Sequence, residues 1–140
     1  MANLKRRIPN ELPPPATAPL PNDAPEWVAL GSRRRALVDR VTAGEDVYLV
    51  EPTGSRTDTG GWFGQRRVWL AFTQASMVMT AAGSRPLCIQ IPLTELSRTQ
   101  YNVVTGDVVF APAEPPLRQV SLTPVAAARV LAQIRRRERC

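Results

Sequence analysis

Few side chains in this 140-residue chain have the type and spacing that chemistry needs. It contains no histidine, so the commonest general base and metal ligand is missing. Glu51, Asp58, Glu95, Asp107 and Glu114 are scattered through the middle of the sequence, with no spacing that pairs an acid with a base. Cys88 alternates with Leu87 and Ile89 in a strand-like run, with no base beside it. It therefore reads as a small hydrophobe rather than a nucleophile. Cys140, the last residue, is poorly preorganised for catalysis. Two cysteines make no disulfide framework and fit a reduced, cytoplasmic setting. The sequence thus predicts a protein that is not an enzyme, with no catalytic residues, no cofactor and no metal site.

Residues suited to binding are easier to find. The run "GSRTDTGGWFGQRR", residues 54–67, holds Arg56, Arg66 and Arg67 around the aromatic pair Trp62 and Phe63. Cations beside aromatics suit an anionic membrane surface, where the rings enter the interface. Asp58 subtracts from that charge, and neighbours Arg66 and Arg67 on a strand point to opposite faces. A solvated loop is the plainer reading of the same residues. Trp62 and Phe63 also suit contact with a protein partner, and Trp62 equally suits folding back onto its own domain. "RRRER" at residues 135–139 and "SRRRALVDR" at 32–40 are dense enough to touch phosphates. Neither carries a base-stacking aromatic, so nucleic acid ranks behind protein and membrane. "LPPPATAPLP", residues 12–21, is of a kind that docks in a partner's aromatic groove, spaces two units, or straps its own domain.

These residues must be positioned by a fold, and composition marks its limits. Seven of the 14 prolines fall in the first 26 residues. Residues 1–25 are therefore expected to form a disordered or polyproline-type arm. "MANLKRRIPNELPPP" is basic but no apolar run follows it, which is not a secretory signal. No run of 18 apolar residues predicts a membrane-spanning helix. The net charge of +6 is unevenly spread: Arg129–Cys140 alone hold five Arg against one Glu. The basicity is mostly that of one helix end.

After the arm, "PEWVALGSRRRALVDRVTAGED" reads as a leading helix over residues 26–43. Trp27, Leu30, Arg34, Leu37, Val38 and Val41 fall on one face. Gly31-Ser32 can split it with Ser32 recapping the second half, and Gly44 is expected to end it. "VYLVE" opens a sheet, and "PTGSRTDTGGWFGQ" reads as a long mobile loop. "RVWLAFT", "MVMTA" and "LCIQIPL" alternate with period two, separated by turns at "TQAS" and "AGSRP". "YNVV" and "DVVFA" flank Thr105-Gly106, which has the composition of a two-residue hairpin loop. "RQVSL" is a seventh strand. Thr123 then caps a final helix with Pro124 in its first position and an apolar stripe of Ala127, Val130, Leu131 and Ile134.

Seven antiparallel strands followed by one amphipathic helix, in a mainly β chain, resemble the pleckstrin-homology superfold in its bacterial PH-like form. "GEDVYLVEP" as the opening strand, "RRVWLAFTQASMVMTAAG" as a hairpin, "IPLTEL" closing the fourth strand and "TGDVVF" before the helix carry the resemblance. It covers residues 44–137 and leaves the helix of 26–43 and the tail 138–140 outside. The resemblance implies a bent roll whose open end the C-terminal helix plugs. It implies a binding or scaffolding module that recognises a protein or peptide. The alternative it implies is peripheral membrane binding through phosphate contacts from Arg56, Arg66 and Arg67 in the first hairpin.

Overall fold

The computed structural model describes residues 13–58, 65–110 and 119–135. Its elements in chain order are α1 (Pro25–Leu30), α2 (Ser32–Thr42), β1 (Leu49–Asp58), β2 (Gln65–Phe72), β3 (Ser76–Ala81) and β4 (Leu87–Pro92). After a single 3-10 turn at Leu93–Leu96 come β5 (Gln100–Asn102), β6 (Asp107–Val109), β7 (Gln119–Ser121) and α3 (Pro124–Arg135). The seven described strands form two antiparallel sheets, ordered β1-β2-β3-β4 and β5-β6-β7. The protein is mainly β, with helices at both ends of the described chain.

Period-two alternation explains how the first sheet is covered. Val68, Leu70 and Phe72 of β2, with Met77 and Met79 of β3, face a core closed by Val108, Val120 and the α3 residues Ala127, Val130 and Ile134. Ala71 and Val78 point the other way and pack with Leu30, Val38, Val47 and Val50. The middle of the sheet is therefore buried on both faces, and every residue of β3 is buried. The leading helices are the outer layer. A leucine-sized side chain contributes about 1.5–3 kcal/mol on such burial, so both layers are integral to stability.

Helix ends follow local chemistry, with some departures from expectation. The leading helix breaks at Gly31, whose φ of 90° suits glycine. Ser32 does not recap the second half: it is the first residue of α2, and Gly31 precedes it with no side-chain cap. Gly44 is not the first residue past the helix either. Ala43 takes the left-handed conformation at φ 57°, and the N–H groups of both Ala43 and Gly44 reach the Asp39 carbonyl. At α3 the Thr123 hydroxyl accepts from the Ala126 N–H at 3.2 Å, and Pro124 begins the helix.

The expected loop after "VYLVE" is largely strand. β1 continues through Pro52 to Asp58, with an irregular register between Pro52 and Arg56. Proline lacks the N–H that the ladder needs. The Thr53 hydroxyl supplies a donor instead, bonding the Val68 carbonyl at 2.7 Å. A Cβ on Gly54 would stand 3.4 Å from the Ser121 side chain, and Ser121 N–H donates to Ser55 Oγ at 2.9 Å. The small residues therefore mark the joint between the two sheets. Residues 59–64 of that expected loop lie outside the described residues. The hairpin at Thr105-Gly106 is also longer than expected. Its loop runs over residues 103–106, where Asn102 Oδ1 accepts from the N–H groups of Val104 and Thr105. The "TQAS" turn has Thr73 N–H bonded to the Ser76 carbonyl, while the Thr73 hydroxyl accepts from the Ser76 N–H at 3.1 Å.

Residues 13–24 of the expected arm run along the domain as a strap. Gln133 of α3 is only 1% exposed. Its Oε1 accepts from the Ala16 N–H at 2.9 Å and its Nε2 donates to the Ala16 carbonyl at 3.4 Å. Leu20 N–H donates to the Val47 carbonyl at 2.7 Å. Residues 1–12 lie outside the described residues.

Candidate functional site

Two surfaces stand out: the mouth of the β1–β2 hairpin and the outer side of β4. At the hairpin, Arg56 lies directly opposite Arg67, and Arg66 opposite Thr57. All three arginines are exposed. Like charges directly opposite one another destabilise a ladder. The register thus brings Arg56 and Arg67 together and sets Arg66 apart, as adjacency on a strand requires. Trp62 and Phe63 lie outside the described residues.

The hairpin draws in one residue that sequence reasoning left in the apolar face of a helix. Arg34 of α2 stands over the Trp69 ring, 5.6 Å from its centroid, and its Nη1 donates to the Leu30 carbonyl at 2.9 Å. Its Nε is buried without a hydrogen-bond partner among the described residues. Burial, then the fields of Arg66 and Arg67, push its pKa below the usual guanidinium value. Its spacing in α2 marked it as facing the sheet, but only the fold shows that it arrives beside the hairpin cations.

Near the sheet joint, a hollow of about 510 Å³ opens among Glu51, Gly54, Arg67, Ser121, Thr123 and Arg129. Glu51 is buried and accepts a hydrogen bond from Arg129 Nε. That bond raises the Arg129 pKa above its ordinary value. The pair fastens α3 to β1.

The outer side of β4 is set by topology. Among the described residues β4 ends the first sheet and pairs only with β3. The other end of that sheet, β1, is met by β7 through Ser55 and Ser121, and β5, an edge of the second sheet, has three residues. β4 has six. Leu93 N–H donates to the Ala75 carbonyl at 2.9 Å, extending the β3–β4 register. Antiparallel alternation then turns the N–H and C=O of Leu87, Ile89 and Ile91 inward to β3, and those of Cys88 and Gln90 outward. Among the described residues no backbone hydrogen bond reaches that outer side. Pro92, which has no N–H, shares the outward phase.

The side chains of β4 divide by face. Leu87 and Ile91 pack against the main core, while Ile89 is 39% exposed. On the other face, Cys88 packs with the α2 layer. Its Sγ lies 3.6 Å from the Leu37 carbonyl, and burial pushes the thiol pKa up, against lesser lowering by Thr80 and Arg40. A raised thiol pKa is the opposite of nucleophile activation. Beside it, Arg33, Ala36, Leu37, Arg40, Ala82 and Pro86 line a shallow hollow of about 270 Å³.

Among the described residues no helix is long and apolar enough to cross a membrane. Comparison with family models, curated proteins and solved structures finds no match for the chain.

Proposed function

We propose that this chain is a non-catalytic recognition module with a PH-like roll, which binds an extended segment of a protein partner by strand addition to β4. The four-plus-three division of strands, followed by a helix buried against the core, supports the PH-like assignment. The observation that carries the binding mode is the open, six-residue outer side of β4, with Cys88 and Gln90 presenting backbone groups outward. Such an edge is a template for another strand. The absence of histidine from the sequence and the raised thiol pKa of Cys88 favour binding over chemistry. Free Cys88 fits a reducing, cytoplasmic setting.

The test is Gln90→Pro, compared with the intact chain in affinity capture from the native cell. Proline removes one outward N–H and the Gln90 Nε2 bond to Ser76 Oγ at 3.0 Å, and leaves the backbone ladder between β3 and β4 in place. A partner held by the wild type and lost by a variant of unchanged melting temperature supports the reading. Equal capture by both removes β4 as the site.

A second reading, peripheral binding to anionic membranes, is favoured by one observation: Arg56 faces Arg67 across the hairpin, with Arg34 close enough to feel Arg66 and Arg67. An anion there relieves the mutual repulsion. Nucleic acid stays third. Of "RRRER", only Arg135 lies among the described residues, exposed at the end of α3.

A further inference from the structure

The partner segment can be described more closely, on the reading that β4 is the docking edge. A strand laid beside β4 turns alternate side chains to opposite faces. One set meets Leu87, Ile89 and Ile91, where Ile89 is already 39% exposed. The other set meets the α2 side, where Arg33 and Arg40 line the hollow beside Pro86. Arg85 is exposed in the turn just before β4. None of these three arginines makes an ion pair among the described residues. Arg33 gives one N–H to the Gly83 carbonyl at 3.0 Å, and Asp39 of α2 is the exposed acid on the same helix. Glu45 and Asp46 sit elsewhere, sharing a hollow with Gln74 and Ala75 at the turn next to the Pro92 end. The cations therefore gather at the Leu87 end of β4.

We infer that β4 and α2 together recognise an acidic extended peptide in which carboxylate side chains alternate with apolar ones. The peptide runs antiparallel to β4, as every other neighbour in this sheet does. Its carboxylates then lie on the α2 face, and those in its C-terminal half, beginning opposite Cys88, come within reach of Arg33, Arg40 and Arg85. Its apolar residues continue the surface of Leu87, Ile89 and Ile91. Backbone bonds to Cys88 and Gln90 supply affinity for any extended chain, and the arginines supply the preference for acid.

The experiment uses the full chain and fluorescent synthetic peptides the length of β4. These alternate valine with glutamate, with lysine, or with threonine, and a fourth is the valine–glutamate peptide methylated on alternate backbone nitrogens. Anisotropy gives affinity, and the amide signals of Cys88 and Gln90 report the position. The expected result is selective binding of the glutamate peptide, with shifts at Cys88 and Gln90, loss on N-methylation, and about tenfold weakening in Arg40→Glu but not in Arg40→Lys. If Arg40→Glu fails to fold, the lysine and threonine peptides carry the charge test on the unaltered protein. Equal binding of threonine and glutamate peptides at β4 overturns the acidic preference and leaves strand addition standing. No binding of any peptide, or shifts confined to Arg56 and Arg67, overturns both. A peptide-free dimer that Gln90→Pro dissolves assigns the edge to a second copy and overturns the inference.

Discussion

Single side chains decide how this protein uses its few buried polar groups. Glu51 is the clearest case: its side chain is 8% exposed and its partner Arg129 is 47% exposed. Removing the cation leaves a buried carboxylate unmatched, which is costlier than losing a surface pair. Because Arg129 is half in water, Arg129→Ala should cost about 1–2 kcal/mol rather than the full penalty of a buried pair. Glu51→Gln, which keeps an acceptor, should cost less; urea denaturation of both variants checks the order. Cys88 gives a prediction with a definite sign. Its folded pKa is raised above the ordinary thiol value of about 8.5, so the unfolded chain loses that proton first. The stability tied to the protonated thiol is intact below the unfolded pKa and is lost as pH rises through the folded one. In a Cys140→Ser background, iodoacetamide should label Cys88 more slowly in the folded protein than in urea, and mass spectrometry measures the ratio. Equal rates would mean that the thiol is not held as described.

Elements show where a sequence pattern carries structural information and where it stops. The unbroken apolar runs at residues 68–72 and 77–79 are the direct imprint of a sheet covered on both faces, and spacing of three and four marks α3. The second half of β1 was hidden because Pro52, Gly54 and Ser55 have loop composition. Their job, joining two sheets at close approach, depends on Ser121, 66 positions away. The two candidate surfaces differ in the same way. Arg56, Arg66 and Arg67 could be picked out by type, whereas Arg34 joins them only through the packing of α2 on Trp69. That β4 is an edge is a fact of strand order, which no local pattern encodes. For α3, Leu131 is 1% exposed and Arg135 is exposed in the last turn. Leu131→Asp should abolish the cooperative thermal transition, because a charge cannot be buried unpaired. Arg135→Asp should cost only about 0.3–1 kcal/mol, the worth of an exposed charge at a helix end. Equal losses of melting temperature would show that the buried face has been misassigned.

At the scale of the molecule, the described residues form a three-layer stack with a cationic hairpin in Arg56, Arg66 and Arg67, and its behaviour at membranes follows from the size of that charge. Three hairpin arginines near an anionic surface give about 1 kcal/mol each. The protein should therefore float weakly with anionic vesicles, release in raised salt and show no headgroup preference. Tight, headgroup-selective flotation lost in Arg56→Ala with Arg67→Ala would move the membrane reading ahead of the peptide one. The strap has a different consequence, one of timing. Ala16 and Gln133 are 117 positions apart. At about 5–20 residues per second of synthesis, Ala16 waits on the order of ten seconds before its partner exists. Through that interval the segment must stay unaggregated beside a growing, half-formed sheet. A run with prolines at 13, 14, 15, 19 and 21 is suited to the wait, since it offers few N–H groups and cannot join a ladder. The prolines that make the strap a poor builder of structure would thus make it a safe bystander during the chain's birth, until Gln133 arrives to hold it.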